Sequence, residues 1–317
     1  MAKLTGGGFT NLPPDRAALR AKLDRSAEAF AGEASKPRDD LFVLVLETAD
    51  GRVRGTCQIF ALVGQSTPFY SYRLSTLTQQ SRELGRTIRA EMLSFTTDLE
   101  GSSEVGGLFL HPAARAGGLG ALLARSRYLF IRAHRARFAD WLLAELRGQI
   151  DDSGNSAFWD GLAGRFFDMG FNEADQFNAT NGHQFIADLM PKHPVYTALL
   201  PEGARHAIGK PHPSGRPAMR MLKAEGFAYE EYVDIFDGGP TMLARTDEVR
   251  TIRDCTETTV ARLEDGGEPA LVSTGRLSGF RCAFGRVRGE DGGVALDRAT
   301  AKRLGVVAGD AILHIVR

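Results

Sequence analysis

The most restrictive feature of this chain is a junction at which the apolar run Leu108-Phe109-Leu110 meets His111-Pro112 and then Arg115-Ala116-Gly117-Gly118-Leu119-Gly120. Pro112 lacks the N–H that a central strand needs, so the run must end there. Beyond the glycines, Leu122, Leu123, Leu129 and Phe130 follow a helical period. The pattern predicts a strand over 104–110, a glycine-rich turn and a helix over 118–138. A lone strand must pair with others, and a one-sided helix must cover a sheet, so the junction commits the chain to a mixed α/β (α+β) architecture.

The same turn can do chemistry. A helix N-terminus offers unpaired amides and the positive end of the helix dipole, which suits a pyrophosphate. Glycines let those amides approach closely, and Arg115 can add a charge-assisted contact, in the spacing Arg-x-x-Gly-x-Gly. Taken alone, these residues better describe a tight strand-to-helix turn with no ligand, and only their context favours a phosphate. Two other phosphate loops are excluded: there is no Gly-x-Gly-x-x-Gly with a suitably placed acid, and no Gly-Lys-Ser/Thr follows.

Around the junction, a loop at Thr5-Gly6-Gly7-Gly8 and Pro13-Pro14 precedes a helix expected over 15–31. Residues 41–47 and 55–62 read as an antiparallel hairpin turning at Asp50-Gly51. A strand over 141–146, a helix over 157–167, a helix over 216–225 stopped by Gly226 and a strand over 229–236 follow. The passages ending Met169-Gly170-Phe171 and Glu225-Gly226-Phe227 close alike, which allows a duplicated fold. Past the turn Asp237-Gly238-Gly239-Pro240, the runs 270–273, 281–287 and 311–316 suit a small β-barrel or half-barrel.

Composition narrows the partners. Among 317 residues, 39 basic side chains balance 39 acidic ones, so the surplus of cations that drives nonspecific nucleic-acid binding is missing. Cys57, Cys255 and Cys282 are scattered and odd in number, which indicates neither a disulfide framework nor a zinc knuckle and fits a reducing cytoplasm. The longest apolar runs, such as 41–46, fall far short of the ~18 residues that span a bilayer, and the start lacks a secretory pattern. A soluble, unexported protein with no metal site is expected.

The order strand, Arg-x-x-Gly-x-Gly loop and helix resembles the acyl-CoA signature of the GCN5-related N-acetyltransferase superfamily. That resemblance implies a mainly antiparallel sheet with flanking helices, acyl-CoA held at Arg115, Gly118 and Gly120, and its pantetheine arm beside Leu108 and Leu110. Segments 101–104, 108–110, 144–148, 156–159, 185–194 and 232–241 are in turn similar to the arginine N-succinyltransferase family. The most specific are Leu189-Met190-Pro191-Lys192-His193-Pro194 and Val233-Asp234-Ile235-Phe236-Asp237-Gly238-Gly239-Pro240. The resemblance implies transfer of succinyl from succinyl-CoA to the α-amino group of arginine in arginine catabolism, with no permanently bound cofactor. Members have a further strand and helix start ahead of the Thr5–Gly8 loop, so either the start is shortened or the fold begins differently. The implied organisation is an acyl-CoA-binding half over 1–175, a second half over 176–250, and a β-rich domain over 251–317.

Attack on a thioester needs a neutral amine, and the departing thiolate needs a proton. His212, fixed between Pro211 and Pro213, matches the position of the family's proton donor, and it could act as base or acid. His193 reads as structural, and His111 as a strand end near the carrier. Cys57, inside a strand, reads as a buried thiol, so direct transfer is preferred over an acyl-cysteine. An arginine substrate calls for carboxylates, for which Glu104, Asp234 and Asp237 are candidates; a succinyl tail calls for a cation, for which Arg147 and Lys192 are candidates. An acyltransferase for ornithine or another amino acid, and a noncatalytic CoA-binding subunit of a homo- or hetero-oligomer, are the alternatives.

Overall fold

A computed structural model describes residues 15–181 and 184–317, so the loop expected at Thr5-Gly6-Gly7-Gly8 lies outside the described residues. In chain order the elements are α1 (Arg16–Ala31), the hairpin β1 (Leu41–Glu47) and β2 (Val53–Phe60), the hairpin β3 (Ser71–Ser81) and β4 (Arg86–Thr96), then β5 (Ser103–Leu110), α2 (Leu119–Ala133) and β6 (Trp141–Glu145). Four helices follow, α3 (Ala157–Gly161), α4 (Gly164–Phe167), α5 (Phe171–Asn181) and α6 (Gln184–Leu189), then β7 (Val195–Tyr196), α7 (Glu202–Ala207), α8 (Arg216–Ala224), β8 (Ala228–Val233), β9 (Pro240–Arg245) and α9 (Arg250–Asp254). The last part holds β10 (Thr256–Leu263), β11 (Glu268–Thr274), β12 (Arg281–Glu290), β13 (Gly293–Leu296), α10 (Arg298–Leu304) and β14 (Ala311–Val316).

Among the described residues, β1 to β9 form a nine-stranded sheet in the order β1-β2-β5-β6-β9-β8-β3-β4-β7. The remaining strands close a barrel in the order β10-β13-β12-β11-β14. Neighbours in the large sheet are antiparallel except β5 and β6. The sheet runs without a break across residue 175, because β6 pairs with β9 from Trp141↔Arg245 to Glu145↔Thr241.

Alternation along the strands separates two layers. Ile59, Val105, Leu142, Ala144, Met242 and Ala244 turn to one face, where Ala29 of α1, Tyr128 and Phe130 of α2, Leu222 of α8 and Ile252 of α9 cover them. On the other face, Tyr72, Leu93 and Val233 pack beneath Phe158, Trp159, Ala174, Ile186 and Ala204 from the helices between β6 and α8. The barrel sits on α2, with Leu271 and Ile315 against Leu122, Leu123 and Leu129. His134, just after α2, accepts the Leu277 N–H at Nε2 (3.0 Å), while its Nδ1 meets the Phe130 carbonyl at 2.8 Å.

Three local expectations change. The polar stretch before β5 is a long hairpin, β3–β4, paired over eleven positions from Ser71↔Thr96 to Ser81↔Arg86; polar residues on both faces of its outer half hide the strand period. The helix expected over 157–167 breaks after Gly161, where a Cβ would stand 2.5 Å from Ala204 Cβ of α7. Finally, Gly226 (φ 99°) ends α8 as expected, but Gly170 ends nothing: Asp168 takes the left-handed conformation (φ 51°) after α4, and the Gly170 carbonyl instead accepts the Ala174 N–H at the start of α5. The likeness between the two Gly-Phe passages is therefore not structural.

Candidate active site

The site begins where two strands part. β5 and β6 pair only at Ser103↔Leu142 and Glu104↔Leu143 among the described residues, although β5 continues to Leu110 along β2. From Val105 onward, the edge of β5 that faces away from β2 has no strand beside it. Backbone groups on such an edge must find partners elsewhere, and a ligand's amide-bearing arm supplies them. Opposite Cys57, β5 carries an extra residue at Gly107-Leu108, with Gly107 at φ 55°, and this bulge turns the strand just where the edge opens. Leu108 and Leu110 are half-buried along it.

The glycine-rich loop lies at the far end of this opening. Gly118 is the N-cap of α2 at φ 77°, a left-handed conformation in which no side chain is at ease. The loop is exposed, and the guanidinium of Arg115 reaches back to the Leu110 carbonyl at 3.2 Å. Strand end, cation and helix N-terminus thus converge on one surface, which fits a pyrophosphate. The barrel borders it: a Cβ at Gly118 would lie 3.5 Å from Phe284, whose ring carries the Arg317 guanidinium at 4.1 Å.

At the near end, the chain leaving β6 meets the loop carrying His212. The His212 N–H donates to the Arg147 carbonyl at 2.7 Å, and the Gly209 N–H donates to the Gly238 carbonyl at 2.8 Å, so the loop is pinned at two points. The Ser214 N–H donates to His212 Nδ1 at 3.2 Å, and the Ser214 hydroxyl meets the same nitrogen at 2.7 Å. With Nδ1 accepting, the proton of the neutral ring sits on Nε2. Partial burial, assisted by the Arg147 guanidinium, lowers the His212 pKa, so the neutral ring with its proton on Nε2 is favoured. Arg147 itself is half-buried, and its Nε finds no hydrogen-bond partner among the described residues.

Four carboxylates gather beside these groups. Asp234 Oδ1 accepts the N–H groups of Phe236 (2.7 Å) and Asp237 (2.8 Å). Asp237 accepts Gly148 N–H at 2.7 Å and Gly239 N–H at 2.8 Å, one on each oxygen. Burial and the neighbouring Asp234 push its pKa up, against the pull of those two amides. Glu145, the last residue of β6, keeps part of its surface accessible, yet burial and the like charges of Asp234, Glu104 and Asp237 hold its carboxyl well above the usual carboxylate range. Glu104 in turn faces Lys22 of α1, whose ammonium burial lowers to about 8 while Glu104 opposes the shift. Among the described residues, no three His, Cys, Asp or Glu side chains are grouped to hold a metal ion.

This geometry has close counterparts. A family model described as arginine N-succinyltransferase beta subunit matches residues 1–251, and one for the C-terminal domain of that subunit matches residues 253–315. The chain belongs to the arginine N-succinyltransferase family. The arginine N-succinyltransferase subunit beta of Pseudomonas aeruginosa is 40% identical over 314 residues, covering 98% of this chain and 92% of that protein. An arginine N-succinyltransferase of Salmonella paratyphi B is 42% identical over 316 residues, again 98% and 92%. Among solved structures, arginine/ornithine succinyltransferase subunit AI of Pseudomonas aeruginosa superposes with a TM-score of 0.88 at 34% identity, over 99% of this chain and 93% of that one.

Within this succinyltransferase fold the sequence-derived residues divide. Leu108, Leu110, Arg115, Gly118 and Gly120 line one continuous run from strand edge to helix; Glu104, Asp234 and Asp237 surround Glu145 at the end of β6, and Arg147, two residues on, meets His212. Lys192 stands apart, on the turn after α6, where its ammonium donates to the Ala187 carbonyl. His111 Nδ1 accepts the Ala113 N–H at 3.2 Å and so shapes the turn before the loop, and His193 is exposed. Cys57 is fully buried and its thiol is pushed up to about 11 by burial, which leaves almost no thiolate for acyl transfer. Sequence reasoning did not single out Glu145, which shares the carboxylate cluster, or Thr241, opposite it on β9. The signal for Glu145 was present as a single acid inside the apolar run 141–146.

Proposed function

We propose that this chain catalyses transfer of the succinyl group from succinyl-CoA to the α-amino group of L-arginine, a reaction of arginine catabolism. The observation that carries the reading is the one-sided edge of β5, open from Val105, which joins the Arg115–Gly120 loop to the His212 and carboxylate cluster. In this reading the loop holds the carrier's phosphates, and the β5 edge holds its pantetheine arm. The thioester carbonyl then lies at the base of the opening. The amine attacks the carbonyl carbon and the C–S bond breaks; the departing thiolate is stabilised by a hydrogen bond from the Nε2–H of His212 and takes its proton from the attacking nitrogen. Arg147 offers the succinyl carboxylate a cation. The carboxylates favour a cationic acceptor, with Glu104 and Asp234 nearest to that task, because Asp237 has an amide on each oxygen.

The solved relative named for both arginine and ornithine favours a second acceptor reading, that of ornithine. Purified protein should be offered succinyl-CoA or acetyl-CoA with arginine, ornithine and lysine, and CoA release followed with a thiol indicator. The expected result is fastest release with succinyl-CoA and arginine. Fastest release with ornithine moves the acceptor and keeps the class; CoA binding without release for any amine supports a noncatalytic subunit. We also propose a cytoplasmic setting, since the three cysteines are free and two of them are buried. Among the described residues no helix is long and apolar enough to cross a membrane.

A further inference from the structure

Acyl transfer to arginine leaves one proton without a named acceptor: that of the α-ammonium group, which must be removed before nitrogen can attack. His212 is poorly placed to take it. Its Nδ1 is occupied by Ser214, and its Nε2 already carries the ring proton. A base must therefore come from elsewhere in the cluster.

Position singles out one residue. Glu145 lies two residues beyond Leu143, the last residue of β6 paired with β5, so it stands where the two strands part. Asp237 is held by the amides of Gly148 and Gly239, and Asp234 by those of Phe236 and Asp237. Glu104 faces Lys22. Directly opposite Glu145 in the antiparallel register is Thr241, and directly opposing residues project to the same face. Thr241 is fully buried, and its Oγ1 has no hydrogen-bond partner among the described residues. A buried hydroxyl without a partner is costly unless a ligand supplies one. An ammonium group, with three N–H donors, can satisfy the hydroxyl and the carboxylate together.

We infer that Glu145, opposite Thr241 at the base of the opening between β5 and β6, is the base that takes the proton of the acceptor's α-ammonium group. The inference rests on the acyltransfer reading above. Thr241 Oγ1 accepts one N–H and orients the nitrogen, while Glu145 accepts another and removes that proton. The nitrogen lone pair then forms the C–N bond, and as the C–S bond breaks the second proton of the attacking nitrogen passes to the sulfur, which the His212 Nε2–H steadies by a hydrogen bond. Glu145 later releases its proton to solvent. The charged groups facing Glu145 are Asp234 and Asp237 from the β8–β9 turn and Glu104 from β5, with Lys22 of α1 behind Glu104. Three like charges make the carboxylate a stronger base than an isolated one, and a stronger base is better matched to an amine.

The test is the pH dependence of turnover at saturating arginine and succinyl-CoA, for the wild type, Glu145→Gln and Glu145→Asp. Wild-type turnover tests the acyltransfer reading; the variants, measured against it, test Glu145 alone. The wild type should lose activity toward acid with a midpoint above the usual carboxylate range. Glu145→Gln should reduce kcat by about 10²-fold or more, with CoA affinity and the KM for arginine little changed. Its rate should climb steadily with pH as the amine loses its proton unaided. Glu145→Asp should restore part of the rate and recover an acid limb with a shifted midpoint. A Gln variant with wild-type kcat and only a raised KM, or one whose rate still levels off above the wild-type acid midpoint, overturns the inference. Should Glu145→Gln fail to bind CoA, Glu145→Asp decides, and an acid limb with the wild-type midpoint overturns it.

Discussion

The backbone N–H of His212 donates to the carbonyl of Arg147 at 2.7 Å, and the same arginine's guanidinium disfavours protonation of the His212 ring. One residue thus places the imidazole and also keeps it neutral. The contact joins the strand end that holds Glu145 to the loop that holds His212, although 65 positions separate Arg147 and His212 in the chain (212 − 147).

Arg147→Gln separates the two effects. The backbone contact survives, but loss of the cation should raise the His212 pKa, seen as an upward shift of its ring-proton titration by NMR. Because the guanidinium also faces the acyl end in the proposed complex, the preference for succinyl-CoA over acetyl-CoA should fall by about tenfold, the low end for a lost charge-assisted hydrogen bond. An unchanged acyl preference would remove Arg147 from the acyl site.

His212→Ala should lower kcat by about 10²- to 10³-fold, the usual range for one lost hydrogen-bond donor to a developing anion, with CoA affinity retained by calorimetry. Ser214→Ala should do much less, because the Ser214 N–H still occupies Nδ1 when the hydroxyl is gone. Comparable losses in the two variants would mean that the hydroxyl, and not the amide, fixes the tautomer.

Gly118→Val tests the loop from the other side. A branched side chain at φ 77° costs about 1–2 kcal/mol of strain, and its Cβ would already stand 3.5 Å from Phe284. CoA affinity should fall severely while kcat at saturating carrier falls little, since the loop touches neither His212 nor Glu145. Arg115→Ala should weaken CoA binding by about tenfold, and less so at high salt.

Much of this was legible in the sequence, for reasons that differ by residue. Gly118 and Arg115 announce themselves because a left-handed N-cap and the proposed phosphate contact each demand a particular residue type at a fixed spacing. The hairpin at Asp50-Gly51 and the barrel strands follow from local turn chemistry and β-branched runs. The β3–β4 hairpin escaped because its outer half is solvated on both faces, so Leu77, at 37% exposure, and Ile88, at 59%, mark no buried side. Glu145 and Thr241 escaped for another reason. The roles inferred for them rest on their being opposite each other across β6 and β9, a register that only the folded sheet creates. The parting of β5 from β6 is likewise a property of pairing, not of either strand's sequence.

The barrel's attachment makes the last prediction, one about stability. His134 Nε2 accepts the Leu277 N–H at 3.0 Å, so the ring must be neutral there, with its Nδ1 proton donated to the Phe130 carbonyl at 2.8 Å. Protonating Nε2 would turn an acceptor into a donor facing a donor. Burial, the largest cause, lowers the His134 pKa from its ordinary 6.5, and Arg276 and Arg137 act in the same direction. For a group whose folded pKa is lowered, the neutral form is the one folding favours. Its stabilisation is full above the ordinary value, declines as pH falls below it, and ceases to change once the folded ring protonates too. Denaturant unfolding should therefore show stability decreasing from neutral to mildly acid pH, and His134→Phe should flatten that part of the profile. At neutral pH the variant should also be less stable by about 1–3 kcal/mol, because the Leu277 N–H is left without its acceptor. A His134→Phe profile parallel to the wild type would place the acid sensitivity elsewhere, in the carboxylates around Glu145.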